Sequence, residues 1–187
     1  HFSGGRRIMA LIYLWGLLGA LAVYGVYEWG KEDGQNEVVD AVTGDPDGSE
    51  DPSEEDSIVG TDVGESILGY IGSDTIDGAG GDDTIDGAEG DDSLEGGSGD
   101  DRVDGGEGND TLSGGLGNDV LSGNNGDDNA AGGDGDDSVT GNDGNDILQG
   151  NAGNDTVRGG PGIDLMQGGT GDDEIHGNAQ GDWLEGA

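Results

Sequence analysis

From Gly60 to Glu185 one aliphatic residue returns every nine positions: Ile67, Ile76, Ile85, Leu94, Val103, Leu112, Leu121, Val139, Leu148, Val157, Met166, Ile175 and Leu184, with Ala130 in the place once. Polar residues flank most of them, as in Thr111-Leu112-Ser113, and polar–apolar–polar is the signature of a short, half-buried strand. The frame runs through fourteen repeats without insertion or deletion, an order that random low complexity does not keep. A strand of three residues has no stability alone, but strands stacked at about 4.8 Å pair with one another. Two nonapeptides per coil would put odd repeats in one sheet and even repeats in the other. Ile67, Ile85, Val103, Leu121, Val139, Val157 and Ile175 would then meet Ile76, Leu94, Leu112, Ala130, Leu148, Met166 and Leu184 across the interior.

The first 59 residues read differently. Residues 8–27, "IMALIYLWGLLGALAVYGVY", hold no charge and have the length of a bilayer-spanning helix. Arg6 and Arg7 precede them and Glu28, Glu32 and Asp33 follow, so the charge bias sends the remainder across the membrane. Cleavage after "ALA" at 20–22 would instead make residues 8–19 the apolar core of a signal peptide. Residues 1–29 are therefore expected to be a membrane anchor or signal segment. Both readings place the repeats outside the cell or at its surface, secreted or held by one membrane span. Residues 30–59, with "TGDPDGSEDPSEEDS", have the composition of a self-repelling, disordered linker.

Charge narrows the partners. The chain of 187 residues carries 43 Asp and Glu against five Lys and Arg, a formal charge of -38. Such a field repels nucleic acid and attracts multivalent cations. There is no cysteine, which removes disulfides and thiolate metal sites. With 45 glycines and 29% hydrophobic residues, the repeats hold too little apolar surface to offset their own ordering and repulsion. Something cationic has to.

The repeat supplies its ligands. Position one is glycine in all fourteen repeats, position four is glycine except at Val63 and Gln180, and position six is aspartate except at Glu65. Glycine permits tight turns with carbonyls brought close together. The candidate metal-binding carboxylates are Asp74, Asp83, Asp92, Asp101, Asp110, Asp119, Asp128, Asp137, Asp146, Asp155, Asp164 and Asp173. Carboxylates and carbonyls are hard oxygen donors, which suit calcium better than transition metals or magnesium.

"GGSGDDRVD", "GGEGNDTLS" and "GGDGDDSVT" resemble the hemolysin-type, or RTX, calcium-binding nonapeptide family over residues 60–185. The resemblance implies an all-β fold, a parallel β-roll (a right-handed solenoid), here preceded by one transmembrane or signal helix. It further implies several Ca2+ ions, each held between turns two repeats apart. For the turns 96–101 and 114–119, the implied ligands are the Gly97 and Gly99 carbonyls with Asp101, then the Gly114 and Leu116 carbonyls with Asp119.

The sequence departs from the family at Tyr70-Ile71, at Ile163 near Pro161, and in the first and last repeats. No serine–histidine–aspartate or paired-acid arrangement stands apart from the repeat, so the expected function is non-enzymatic: an exported structural module folded by calcium. The alternative is the C-terminal RTX portion of a larger secreted toxin, protease or lipase. A membrane contact would run through residues 8–27 if they stay uncleaved, and no protein partner is named by any motif. His176 and Trp183 fall at outward strand positions.

Overall fold

The computed structural model describes residues 37–38, 55–178 and 181–186. The apolar run 8–27 and most of the acidic segment 30–59 lie outside the described residues. The rest is a stack of about seven coils with no helix among the described residues, and so none there long and apolar enough to cross a membrane.

Each coil contributes one strand to each of two parallel sheets. One sheet runs through Glu65–Leu68, Thr84–Glu89, Arg102–Glu107, Val120–Asn125, Ser138–Asp143, Thr156–Arg158 and Glu174–His176, with Glu37–Val38 on its edge. The other runs through Ser57–Val59, Thr75–Asp77, Ser93–Ser98, Thr111–Leu116, Asn129–Asp134, Ile147–Ala152, Leu165–Thr170 and Trp183–Glu185. Odd and even repeats are thus segregated as the ninefold period predicts. The register follows: Leu94 pairs with Leu112, Leu112 with Ala130, Ala130 with Leu148, Leu148 with Met166 and Met166 with Leu184.

The strands are longer than the expected triplet. In the central coils they span six residues, from position seven to position three of the next repeat, as in Thr111–Leu116. The alternation there buries both Leu112 and Gly114, so position one faces the interior alongside position eight. Glycine leaves the strand room to continue inward at that point. The turn is confined to the residues after it, with positive φ at Gly115 (113°) and Gly117 (132°). Asn124, Asn142 and Asn151 take the equivalent of Gly115 at φ 75°, 76° and 78°, the left-handed conformation that asparagine tolerates better than most side chains.

The inward residues from Ile67 through Met166 form one buried seam, with Ile175 half-buried against its end. Two boundaries differ from the sequence expectation. Ile58, in the segment read as linker, is only 6% exposed, because Ser57–Val59 pairs with Thr75–Asp77 and closes the first coil. Leu184 is 52% exposed, although it keeps the inward register, because no following coil covers it among the described residues.

Candidate metal centre

Every position-six acid sits at the end of a turn, where the chain re-enters a strand. The carboxylates of Asp74, Asp83, Asp92, Asp101, Asp110, Asp119, Asp128, Asp137, Asp146, Asp155 and Asp164 are all buried. Asp173, in the last complete coil, is half-buried. Each carboxylate reaches across one coil. Asp119 Oδ1 accepts the Asp101 N–H at 2.8 Å, and Asp137 Oδ1 accepts that of Asp119 at 2.8 Å. The same link recurs at eighteen-residue intervals up both sides of the stack, ending with Asp173 on Asp155 and Asp182 on Asp164 at 3.1 Å each.

The second oxygen of each carboxylate is different. Oδ2 of all eleven buried aspartates is enclosed without any hydrogen-bond partner. A carbonyl oxygen of the next coil lies beside several of them. A Cβ placed on Gly96 would stand 2.5 Å from Asp101 Oδ2 and 2.8 Å from the Gly114 carbonyl oxygen, which comes from the next coil. A Cβ on Gly78 would likewise meet Asp83 Oδ2 and the Gly96 carbonyl, both at 2.6 Å. Position-one glycine therefore keeps clear a point on which a carboxylate and a carbonyl converge. The carbonyls of positions two and four face the following coil as well, since a side chain on Gly115 or Gly117 would overlap the oxygen of Gly97 or Gly99.

Buried anionic oxygens facing carbonyls are costly unless a cation joins them. The titration behaviour reflects this. Burial, reinforced by neighbouring carboxylates, pushes Asp83, Asp110, Asp119, Asp137 and Asp146 up to about 6, against the pull of the backbone N–H each accepts. Asp74, Asp92, Asp101, Asp128, Asp155 and Asp164 move upward for the same first cause. Among the described residues no three Asp, Glu or His groups converge on one point. A cation between coils must therefore take most of its ligands from the backbone, and hard carbonyl and carboxylate oxygens fit calcium.

Glu65 shows what a satisfied site looks like. Its Oε2 accepts the Thr61 N–H at 2.8 Å, and its Oε1 accepts the Thr61 hydroxyl. The first coil thus closes with its own donors. The substitution of glutamate for aspartate at position six is the visible signal for this, though its meaning depends on Thr61.

A second ladder, at position five, escaped the sequence reading. Asp100 Oδ1 accepts the Asn118 N–H at 2.8 Å, and Asn118 Oδ1 accepts that of Asp136 at 2.9 Å. These links point in the opposite sense to those of position six. Where asparagine follows aspartate, its amide adds a second bond, as from Asn145 to Asp127 at 2.9 Å, and the Asn145 donors hold Asp127 below the usual carboxylate range. From Asp91 and Asp100 onward, Asp and Asn alternate every eighteen residues along the two exposed columns, so that five Asp are interleaved with four Asn. The other singled-out residues lie outside the centre: Arg102 pairs with Asp104 at 3.6 Å, and exposed His176 contacts Glu174 at 2.6 Å.

Comparison with known families finds the RTX calcium-binding nonapeptide repeat in four copies, at residues 59–94, 86–121, 122–157 and 158–187. No curated protein and no solved structure matches the chain.

Proposed function

The chain belongs to the RTX calcium-binding nonapeptide repeat family, and from that premise we propose that it is an exported structural module whose folding is switched on by calcium. The observation that supports this reading is the file of buried aspartate oxygens without partners. Calcium, when bound, supplies the countercharge those oxygens lack. Asp101 and Asp119, with the carbonyls of Gly97, Gly99, Gly114 and Leu116, would hold one ion, and the remaining position-six aspartates from Asp74 to Asp173 would repeat the arrangement. The protein's own contribution is to bring these oxygens together only when the coils stack.

Stacking without a cation would set a column of carboxylates against itself, so low cytosolic calcium keeps the chain unfolded and able to cross a membrane. The apolar run 8–27 would direct it there, either retained as a tether or removed. Outside, calcium in the range of about 10⁻⁴–10⁻³ M typical of extracellular modules would complete the fold. The role is scaffolding: among the described residues every buried aspartate accepts an N–H from the neighbouring coil, and none is set apart for chemistry.

Circular dichroism during a calcium titration tests this directly. The expected result is a disordered spectrum in chelator and a cooperative β transition within that range, with magnesium much less effective. A β-rich spectrum in excess chelator would overturn the reading.

A further inference from the structure

Outward position seven carries Ser57, Thr75, Ser93, Thr111 and Asn129 along the first five strands of the even-repeat sheet. It then turns apolar. Ile147, Leu165 and Trp183 lie in register in three adjacent strands and are 43%, 49% and 70% exposed. Ile163, two residues ahead of Leu165 and 56% exposed, stands where most repeats have the Asp or Asn of the outer ladder. Glu185 is the one acidic residue in these three strands. Strands Ile147–Ala152 and Leu165–Thr170 contain no charged residue, and the outward neighbours Gln149 and Gln167 are amides in register. Thr111–Leu116 and Val120–Asn125 are uncharged as well, so what sets this face apart is that two neutral strands are neighbours in one sheet beneath an apolar column.

The four exposed apolar side chains amount to roughly 400 Å², comparable to the largest patch on a typical monomer, and such patches are often interaction sites. The charge distribution decides what can approach. The earlier strands present Asp77, Glu95, Asp86, Asp104 and Glu107, and the turns present Asp100, Asp127 and Asp136. A second copy of so acidic a chain would meet several like charges on those faces and only Glu185 here.

We propose that this face joins two copies of the chain, sheet to sheet, about a two-fold axis at Leu165. Antiparallel placement sets Leu165 against its own counterpart and Trp183 against Ile147 of the other copy, so the large and small side chains complement each other. Glu185, in register with Gln167, then faces Gln149 of the other copy and meets no carboxylate. The column exists only when the coils are stacked, so the contact rests on the calcium-folding reading above. Its small area predicts a weak dimer, with dissociation on the order of micromolar.

The chain has no cysteine, which allows a direct test on the whole 187-residue chain. Leu165→Cys places a single thiol at the axis, and Ser138→Cys places one at the same outward position on the opposite sheet. In calcium, mild oxidation should link Leu165→Cys into dimers roughly ten-fold faster than Ser138→Cys, the gain expected of a held contact over random encounter. In chelator the two rates should be equal. Sedimentation of the wild type should show a calcium-dependent dimer that Leu165→Glu abolishes. Equal linking rates in calcium overturn the proposal, as does a wild-type monomer at about 100 µM, which would leave the face to a different apolar partner. Circular dichroism of the same samples separates the two ideas: a chain that gains no β signal from calcium fails the folding reading itself, whereas a folded chain with equal rates fails only the contact.

Discussion

The Asp101 N–H donates to Asp119 Oδ1 at 2.8 Å, and the other oxygen of Asp119 is buried with no partner at all. One carboxylate is thus half backbone clamp and half uncompensated charge. Asp119→Asn keeps an oxygen for the clamp and removes the charge. Its effect should change sign with calcium. In chelator the variant should stack more readily than the wild type, by about 1 kcal/mol, the scale of one relieved buried polar group. In calcium its folding midpoint should rise, on the order of ten-fold, because ligand charge sets affinity in such sites. Paired titrations in chelator and calcium check both signs.

Acid should replace calcium in part. Asp83, Asp110, Asp119, Asp137 and Asp146 titrate near 6 in the stacked coils, against a usual value of 3.8. The folded chain therefore holds protons that the unfolded chain has released between those two values, and stability falls as pH rises across that window. Below it the stack is relieved of the charge; above about 6 the full penalty applies. In chelator, β structure should appear as pH is lowered from 7 towards 4. A circular dichroism signal that is flat across this range would count against burial of these carboxylates.

Glycine at position four answers to space as well as to conformation. Gly117 has φ 132°, and a side chain there would overlap the Gly99 carbonyl of the preceding coil. Gly181, at position five of the last repeat, has a similar φ of 136° but nothing within 4 Å. Gly181→Ala should cost only the backbone strain, about 1–3 kcal/mol. Gly117→Ala should cost more, and should also lower the number of calcium ions bound, because it pushes apart the coils that hold them. Isothermal titration of both variants measures stoichiometry and stability together.

Ala130 is fully buried between Leu112 and Leu148 in its own sheet. Leu94 and Leu112 already stack leucine on leucine at the same spacing, so the column accepts leucine at consecutive coils. Ala130→Leu should lower the calcium midpoint for folding, with a gain of up to about 2–3 kcal/mol. Leu112→Ala should raise it, with a loss of about 2–5 kcal/mol. If neither midpoint moves, position eight is not the buried seam.

The fold was legible because its period is strict. Nine residues fix which side chains share a column, and two repeats per coil fix which strands pair, so the seam from Ile67 to Met166 could be written down from spacing alone. The ends were not legible in this way. Ile58 precedes the glycine frame and joins the seam only through its pairing with Ile76, while Leu184 keeps the frame and lacks a neighbour to cover it. The site was legible as a set of residue types and less so as geometry. Position-six aspartates stand out by their recurrence, but the role of each oxygen depends on the coil eighteen residues away. The outer Asp–Asn ladder was overlooked because a nonapeptide view treats position five as variable; its order appears only when every second repeat is compared.

The two opposed ladders also set how the roll comes apart under load. Position-six carboxylates grip the coil before them and position-five side chains the coil behind, so sliding one coil sideways breaks both sets at once. Tension on the chain ends instead detaches a terminal coil and leaves the next one clasped. Each such step frees eighteen residues, about 60 Å of extended chain, from a coil that occupied about 4.8 Å of the stack. Such a roll would lengthen in equal increments, and calcium held between the coils would set the force at which each increment is released.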